Sequence, residues 1–202
     1  VPDDLMTWFY LASQHWVASR TDEAIDAFER VVEYYNRDPS RYGVAVRSVT
    51  VAYSYVGLIR GLLLRRRLTE AESVAYGALG TFPDNPDIRF QAGLVHMELG
   101  SLALARDEFE KAAATKLSGY GLIGMSDRSI QAWRANKLVA DIDFQLDDRK
   151  AAYEGYTRVL PAIPDDFDEW HILYARLVEM ASSLKHFEAL PQWTLKYLEH
   201  RP

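Results

Sequence analysis

The chain has 202 residues, 49% of them hydrophobic and 12% aromatic, enough for one sizeable domain or a short repeat array and too apolar for a disordered chain. Lys and Arg number 23 against 29 Asp and Glu, a net charge of -6, which argues against a nucleic-acid binder because nothing would drive counterion release. With no cysteine, disulfides and thiolate metal sites are excluded, and the composition fits a reducing compartment such as the cytoplasm.

Apolar residues recur at helical spacing almost throughout, without sustained period-2 alternation, so the expected fold is all-α. The opening Val1-Pro2-Asp3-Asp4 carries no signal-peptide pattern and reads as the start of an excised fragment. Helices are predicted over 3–19, 21–36, 41–66, 69–81, 86–99, 102–116, 128–146, 148–161, 167–182 and 184–200, with Thr21, Thr69 and Ser101 as N-caps. The most membrane-like stretch, Gly43 to Arg67, is interrupted by Arg47 and Arg60, which predicts a buried helix and no membrane span. Pro191 is expected to break or kink the last helix.

Helix-turn-helix blocks repeat along the chain. The clearest runs Trp8-x2-Leu11-Ala12-x2-His15, then Ala24-x3-Phe28; a second has Ala92-Gly93-x2-His96, Gly100, Ala105-x3-Phe109 and Ala112. Both resemble the tetratricopeptide repeat, W-x2-L-G-x2-Y followed by A-x3-F. The small residue allows close helix crossing, the aromatic one turn later fills the space beside it, and Gly100 supplies left-handed geometry at the turn. Weaker copies use Ala71, Ala75 and Ala78 before Phe82-Pro83, and Ala152-x3-Tyr156 before Val159 and Pro164. The equivalent alanines at 24, 71, 105 and 152 are spaced by 47, 34 and 47 residues, so two repeats each carry a thirteen-residue surplus, around Asp38 to Thr50 and Lys116 to Ser129. The resemblance implies a right-handed α-solenoid of about five helix pairs in one domain, with repeats over 3–36, 41–83, 86–117 and 128–164 and a degenerate C-terminal cap over 167–200.

The order of features is also similar to the repeat region that follows the catalytic domain in bacterial family 2 glycosyltransferases. The matching residues are Asp3-Asp4 with Phe9-Tyr10-Leu11, Phe82-Pro83-Asp84-x-x-Asp87, Phe109-Glu110-Lys111-Ala112, and Gly119-Tyr120 through Gly124 before Gln131-Ala132-Trp133. That resemblance implies a non-catalytic appendage that mediates protein-protein or self-association. The alternative is a part of such an enzyme that contributes to acceptor or sugar-nucleotide binding.

The motifs that would carry chemistry weaken in context. Gly119, Gly121 and Gly124 have the G-x-G-x-x-G spacing of a dinucleotide turn, but they follow a helix rather than a strand, so no cofactor is implied. They belong to an inserted loop, whose apolar residues could fold into the groove or leave it open, with Ser126 or Asp127 capping the next helix. Asp141-x-Asp143 falls inside a helix, where the two carboxylates diverge by about 200°, a poor metal site. Asp147-Asp148 and Asp165-Asp166 sit at expected helix starts and read as capping charges. His15 and His96 occupy equivalent repeat positions and read as packing residues, while His171, His186 and His200 show no ligand spacing. Arg65-Arg66-Arg67 reads as a solvated helix terminus.

In stacked repeats the first helices line a concave groove. The residues expected to line it are Met6, Phe9, Ser13 and Trp16, then Tyr53, Val56 and Arg60, then Phe90, Leu94 and Met97, then Arg134, Lys137 and Asp141. Aromatic, Met and Arg side chains are the usual anchors for a protein or peptide partner. Phe9 and Ser13 stand where the repeat's carboxylate clamp uses Lys and Asn, so an acidic C-terminal pentapeptide should show no micromolar binding by calorimetry; such binding would refute the reading.

Overall fold

The structure is a computed structural model and describes residues 4–115 and 127–200. The inserted-loop residues Gly119, Gly121, Gly124 and Ser126 lie outside the described residues, as do Val1-Pro2-Asp3. Among the described residues ten α-helices form, each overlapping a predicted one: α1 (Leu5–Val17), α2 (Thr21–Arg37), α3 (Ala52–Leu64), α4 (Leu68–Thr81), α5 (Pro86–Glu98), α6 (Leu102–Ala114), α7 (Ala135–Gln145), α8 (Arg149–Val159), α9 (Trp170–Ser183) and α10 (Leu190–Glu199). No strand occurs among the described residues. Consecutive helices pair into five hairpins. The chain divides into two compact units, Val1–Arg128 and Ser129–Pro202.

One turn is used five times. Ser19, Arg66, Gly100, Asp147 and Lys185 all take positive φ, between 57° and 75°. In each turn the following residue's N–H reaches back to a carbonyl five residues earlier, as from Arg20 to His15, Arg67 to Leu62, Ser101 to His96, Asp148 to Asp143 and His186 to Ala181. The left-handed residue's own N–H bonds the carbonyl three residues earlier, completing a Schellman turn. Five residues after it, in the first four hairpins, come Ala24, Ala71, Ala105 and Ala152, all fully buried. Their N–H groups donate to Arg20, Arg67, Ser101 and Asp148, so one motif stops the first helix and starts the second.

The predicted caps need correction. Thr21 and Thr69 lie inside their helices, and Ser101 stands at the cap position without accepting a bond through its side chain. The turn already fixes the start there, since the Ala71 and Ala105 N–H groups donate to the Arg67 and Ser101 carbonyls. Side-chain caps are instead Asp4 to the Thr7 N–H, Asn85 to Asp87 and Ile88, and Asp148 to Ala151. Asp165 caps nothing in α9, which starts later than expected; its carbonyl accepts the Trp170 indole N–H at 3.2 Å. Pro191 neither breaks nor kinks a helix, because α10 begins one residue before it and a first-turn proline forfeits no helical bond.

The long repeats also depart from expectation. A π-turn over Val46–Val51 leads into α3, and another over Ile130–Arg134 leads into α7, where uninterrupted α-helix was predicted. Both fall in the 47-residue repeats, immediately before the first helix of the pair. The apolar stretch around α3 is a core helix: Ala52, Tyr55, Leu58, Ile59 and Leu62 are buried.

In the first unit, hairpins pack by placing a phenylalanine where a Cβ is missing. A methyl at Gly57 would meet the Phe28 ring at 2.5 Å, and one at Gly93 would meet Phe109 at 2.5 Å. Thus α2 closes on α3 and α5 on α6. In the second unit Tyr156 takes the place of Phe109 and packs with Ala140, Leu173 and Leu177. Tyr153 stacks on His186 at 5.2 Å and accepts the Trp193 indole N–H at 3.1 Å, which ties α10 to α8.

Gly93→Ala should lower stability by about 1–3 kcal/mol, and Phe109→Ala by about 3–5 kcal/mol, read from the urea midpoint. Lys185→Gly should raise stability by about 1 kcal/mol, because glycine carries no steric penalty at positive φ.

Candidate functional site

Within the first unit, α1 and α3 present a connected aromatic row. Phe9 meets Tyr53 edge-on at 5.9 Å, Tyr53 meets Phe28 at 6.3 Å, and Phe28 meets Trp16 at 6.4 Å. Phe28 is core; Phe9, Tyr53 and Trp16 are half-buried. The Arg60 side chain is exposed and its guanidinium lies 5.2 Å from the Trp16 ring centroid, a cation–π contact. Val56 is half-buried beside them, and Met6 sits 3.9 Å from the Thr50 hydroxyl. The Ser13 hydroxyl donates to the Phe9 carbonyl at 2.9 Å, so its hydrogen is used inside α1. At the ends of this face Tyr10 is 61% and Val17 82% exposed, two residues that the repeat pattern did not single out.

On α5, Leu94 and Met97 are half-buried. Phe90 is only 1% exposed and packs on Phe109 at 5.4 Å, so it belongs to the core and not to a binding face. Helical spacing alone could not separate these roles, since the ring that α6 covers is one turn from the residues it leaves open.

In the second unit the expected groove residues form a charge network. Asp141 is buried; its Oδ1 accepts the Tyr156 hydroxyl at 2.5 Å and also the Arg176 guanidinium, while Oδ2 pairs with Lys137 at 3.1 Å. Arg176 Nη1 reaches the Tyr156 oxygen at 2.6 Å, and Lys137 also pairs with Glu169 at 2.8 Å. Aromatic faces complete the shell, with Phe144 5.0 Å from Arg176 and Phe167 5.5 Å from Lys137. Arg134 lies half-buried in the π-turn. Burial first, then the Asp141 charge, pushes the Tyr156 phenol well above its ordinary range. The hydrogen bond from Lys137 holds Glu169 below the usual carboxylate range. Asp141 is therefore committed to three partners of its own unit, chemistry that fixes helices rather than holding an ion. Arg176, which closes this network, carried no motif and was not legible in the sequence.

The imidazoles are packing groups. His96 is buried beside Tyr76, ring centroids 5.7 Å apart, with Glu72 at 4.0 Å. His200 lies against Trp170 and Tyr174. Among the described residues no three His, Asp or Glu come together as metal ligands, and no helix is long and apolar enough to cross a membrane.

The tetratricopeptide repeat family pattern matches residues 56–120. No curated protein matches the chain. Among solved structures it is similar to MamA from Desulfovibrio magneticus, at 13% identity over 98% of this chain and 96% of that one, with a TM-score of 0.70. It is also similar to PilF from Pseudomonas aeruginosa, at 12% identity over 98% and 77% of the two chains, with a TM-score of 0.70. A third, from the Cut9–Hcn1 hetero-tetramer of the APC/C, is 17% identical over 99% of this chain and 34% of that one, TM-score 0.63. These likenesses establish the fold, an all-α array of helix hairpins.

A shared network predicts an alkaline response. The Tyr156 phenol titrates above its unfolded value of 10.0 in the folded state, so its stabilisation is complete below pH 10 and is lost as pH rises beyond it. Tyr156→Phe should flatten the fall in urea midpoint above pH 10. Asp141→Ala leaves Arg176 without its carboxylate and the Tyr156 hydroxyl without its acceptor, and should cost about 3 kcal/mol at neutral pH.

Proposed function

We propose that this chain is a non-catalytic tetratricopeptide-type scaffold that holds a protein or peptide partner, a second copy of itself included, on the first-helix face of its first unit. The observation that carries the reading is the row of Phe9, Tyr53 and Trp16 with Arg60 over the indole. Aromatic side chains half-sunk in a rigid helical frame lose little entropy on binding, and an exposed guanidinium beside them suits an acidic group on the partner. Leu94 and Met97 extend the lining on α5, and Ser13 lies between Phe9 and Trp16 on α1. A chain of similar fold occurs in the Cut9–Hcn1 hetero-tetramer, which supports the same class of function.

Placement within a bacterial, cytoplasmic family 2 glycosyltransferase is the finer part of the proposal. It rests on the resemblance of Asp3-Asp4, Phe82-Pro83-Asp84 and the glycine loop, and on the cysteine-free composition. Saturable heat on titrating the chain with UDP-sugars would favour a role in substrate binding over scaffolding.

Arg60→Glu leaves the core intact and should shift stability by less than about 0.5 kcal/mol. Together with Trp16→Ala it should reduce cross-linked partner recovery, quantified by mass spectrometry, about tenfold or more. Unchanged recovery with both variants removes the aromatic face from the reading.

A further inference from the structure

A second surface of the first unit lies on the hairpin of α1 and α2, away from the aromatic row. An open recess of about 460 Å³ runs between these helices, with Trp8 and His15 on one side and Ala27 on the other. Its α2 side carries the carboxylates of Glu23, Asp26, Glu29 and Glu33; Arg30 pairs with Glu33 at 2.8 Å and Arg67 lies 3.9 Å from Glu29.

The third hairpin shows what an equivalent position can hold. Counted from the left-handed turn residue, Trp8 in α1 corresponds to Arg89 in α5, and Ala27 in α2 corresponds to Glu108 in α6. There the Arg89 guanidinium bonds Glu108 at 2.7 Å, both side chains largely covered. In the first hairpin the arginine is replaced by an indole and its carboxylate partner by a methyl, which leaves room where the third hairpin is filled. His15 corresponds in the same way to His96, which rests against Glu72 and Tyr76 of the preceding helix. The His15 Nδ1 is shielded from solvent and makes no hydrogen bond among the described residues.

We propose that this recess is a docking site for an arginine side chain on a basic helical peptide segment of a partner protein. Trp8 offers a π-face to the guanidinium, and Glu23 and Asp26 offer carboxylate oxygens to its N–H groups. Glu29 fits the same picture: burial raises its carboxyl, and the neighbouring charges of Asp26, Glu70 and Glu33 add to that against Arg67, a balance that an incoming cation relieves.

The test uses the full chain and two fluorescein-labelled twelve-residue peptides of alternating leucine and arginine pairs, identical except that one carries citrulline, the neutral isostere, at every arginine. Fluorescence anisotropy should show saturable binding of the arginine peptide, weakened by added salt, and at least tenfold weaker binding of the citrulline peptide. The double variant E23K/D26K, made at two exposed positions, should bind the arginine peptide at least tenfold more weakly while keeping its melting temperature. Equal binding of both peptides, binding unchanged in E23K/D26K, or no binding of the arginine peptide would each overturn the proposal.

Discussion

The left-handed turn between paired helices is the constraint on which the structure depends. A Schellman turn releases the chain at a set angle, and a fully buried alanine five residues later lets the second helix cross the first at close range. The side chain one turn later then fills space against a neighbouring helix, that of the next hairpin for Phe28 and of its own hairpin for Phe109. In hairpins one and three it is phenylalanine and meets a glycine; in hairpin four it is tyrosine and meets a carboxylate. Only one of the five turns uses glycine, so backbone strain at Ser19, Arg66, Asp147 and Lys185 is borne by the packing that surrounds it.

The substitution of Tyr156 for phenylalanine changes the character of the second unit. A hydroxyl buried there requires an acceptor, Asp141 supplies it, and the carboxylate in turn requires Arg176 and Lys137. Those residues sit where a first-helix face could have carried exposed cations. Their charges are instead consumed internally, whereas the first unit keeps half-buried aromatic side chains and an acid-lined recess at its surface.

The two surfaces of the first unit arise from the same repeat positions filled differently. Where hairpin three completes itself with Arg89 and Glu108, hairpin one presents Trp8 and Ala27 and remains open. Repetition of backbone with variation of side chain is how such arrays acquire specificity.

Periodicity and the alanine spacing determined the ten helices among the described residues and their pairing, because helical amphipathicity and the need for small residues at crossings are written locally. The half-buried roles of Phe9, Trp16 and Tyr53 were legible for the same reason. The tertiary structure alone decided that Phe90 is core, that Lys137 and Asp141 are neutralised by Glu169, Tyr156 and Arg176, and that the hairpin turns need no glycine. It also decided that Trp8 borders a recess. Each of these depends on which helix covers a residue from a distant part of the chain, and that information is not contained in spacing along a single helix.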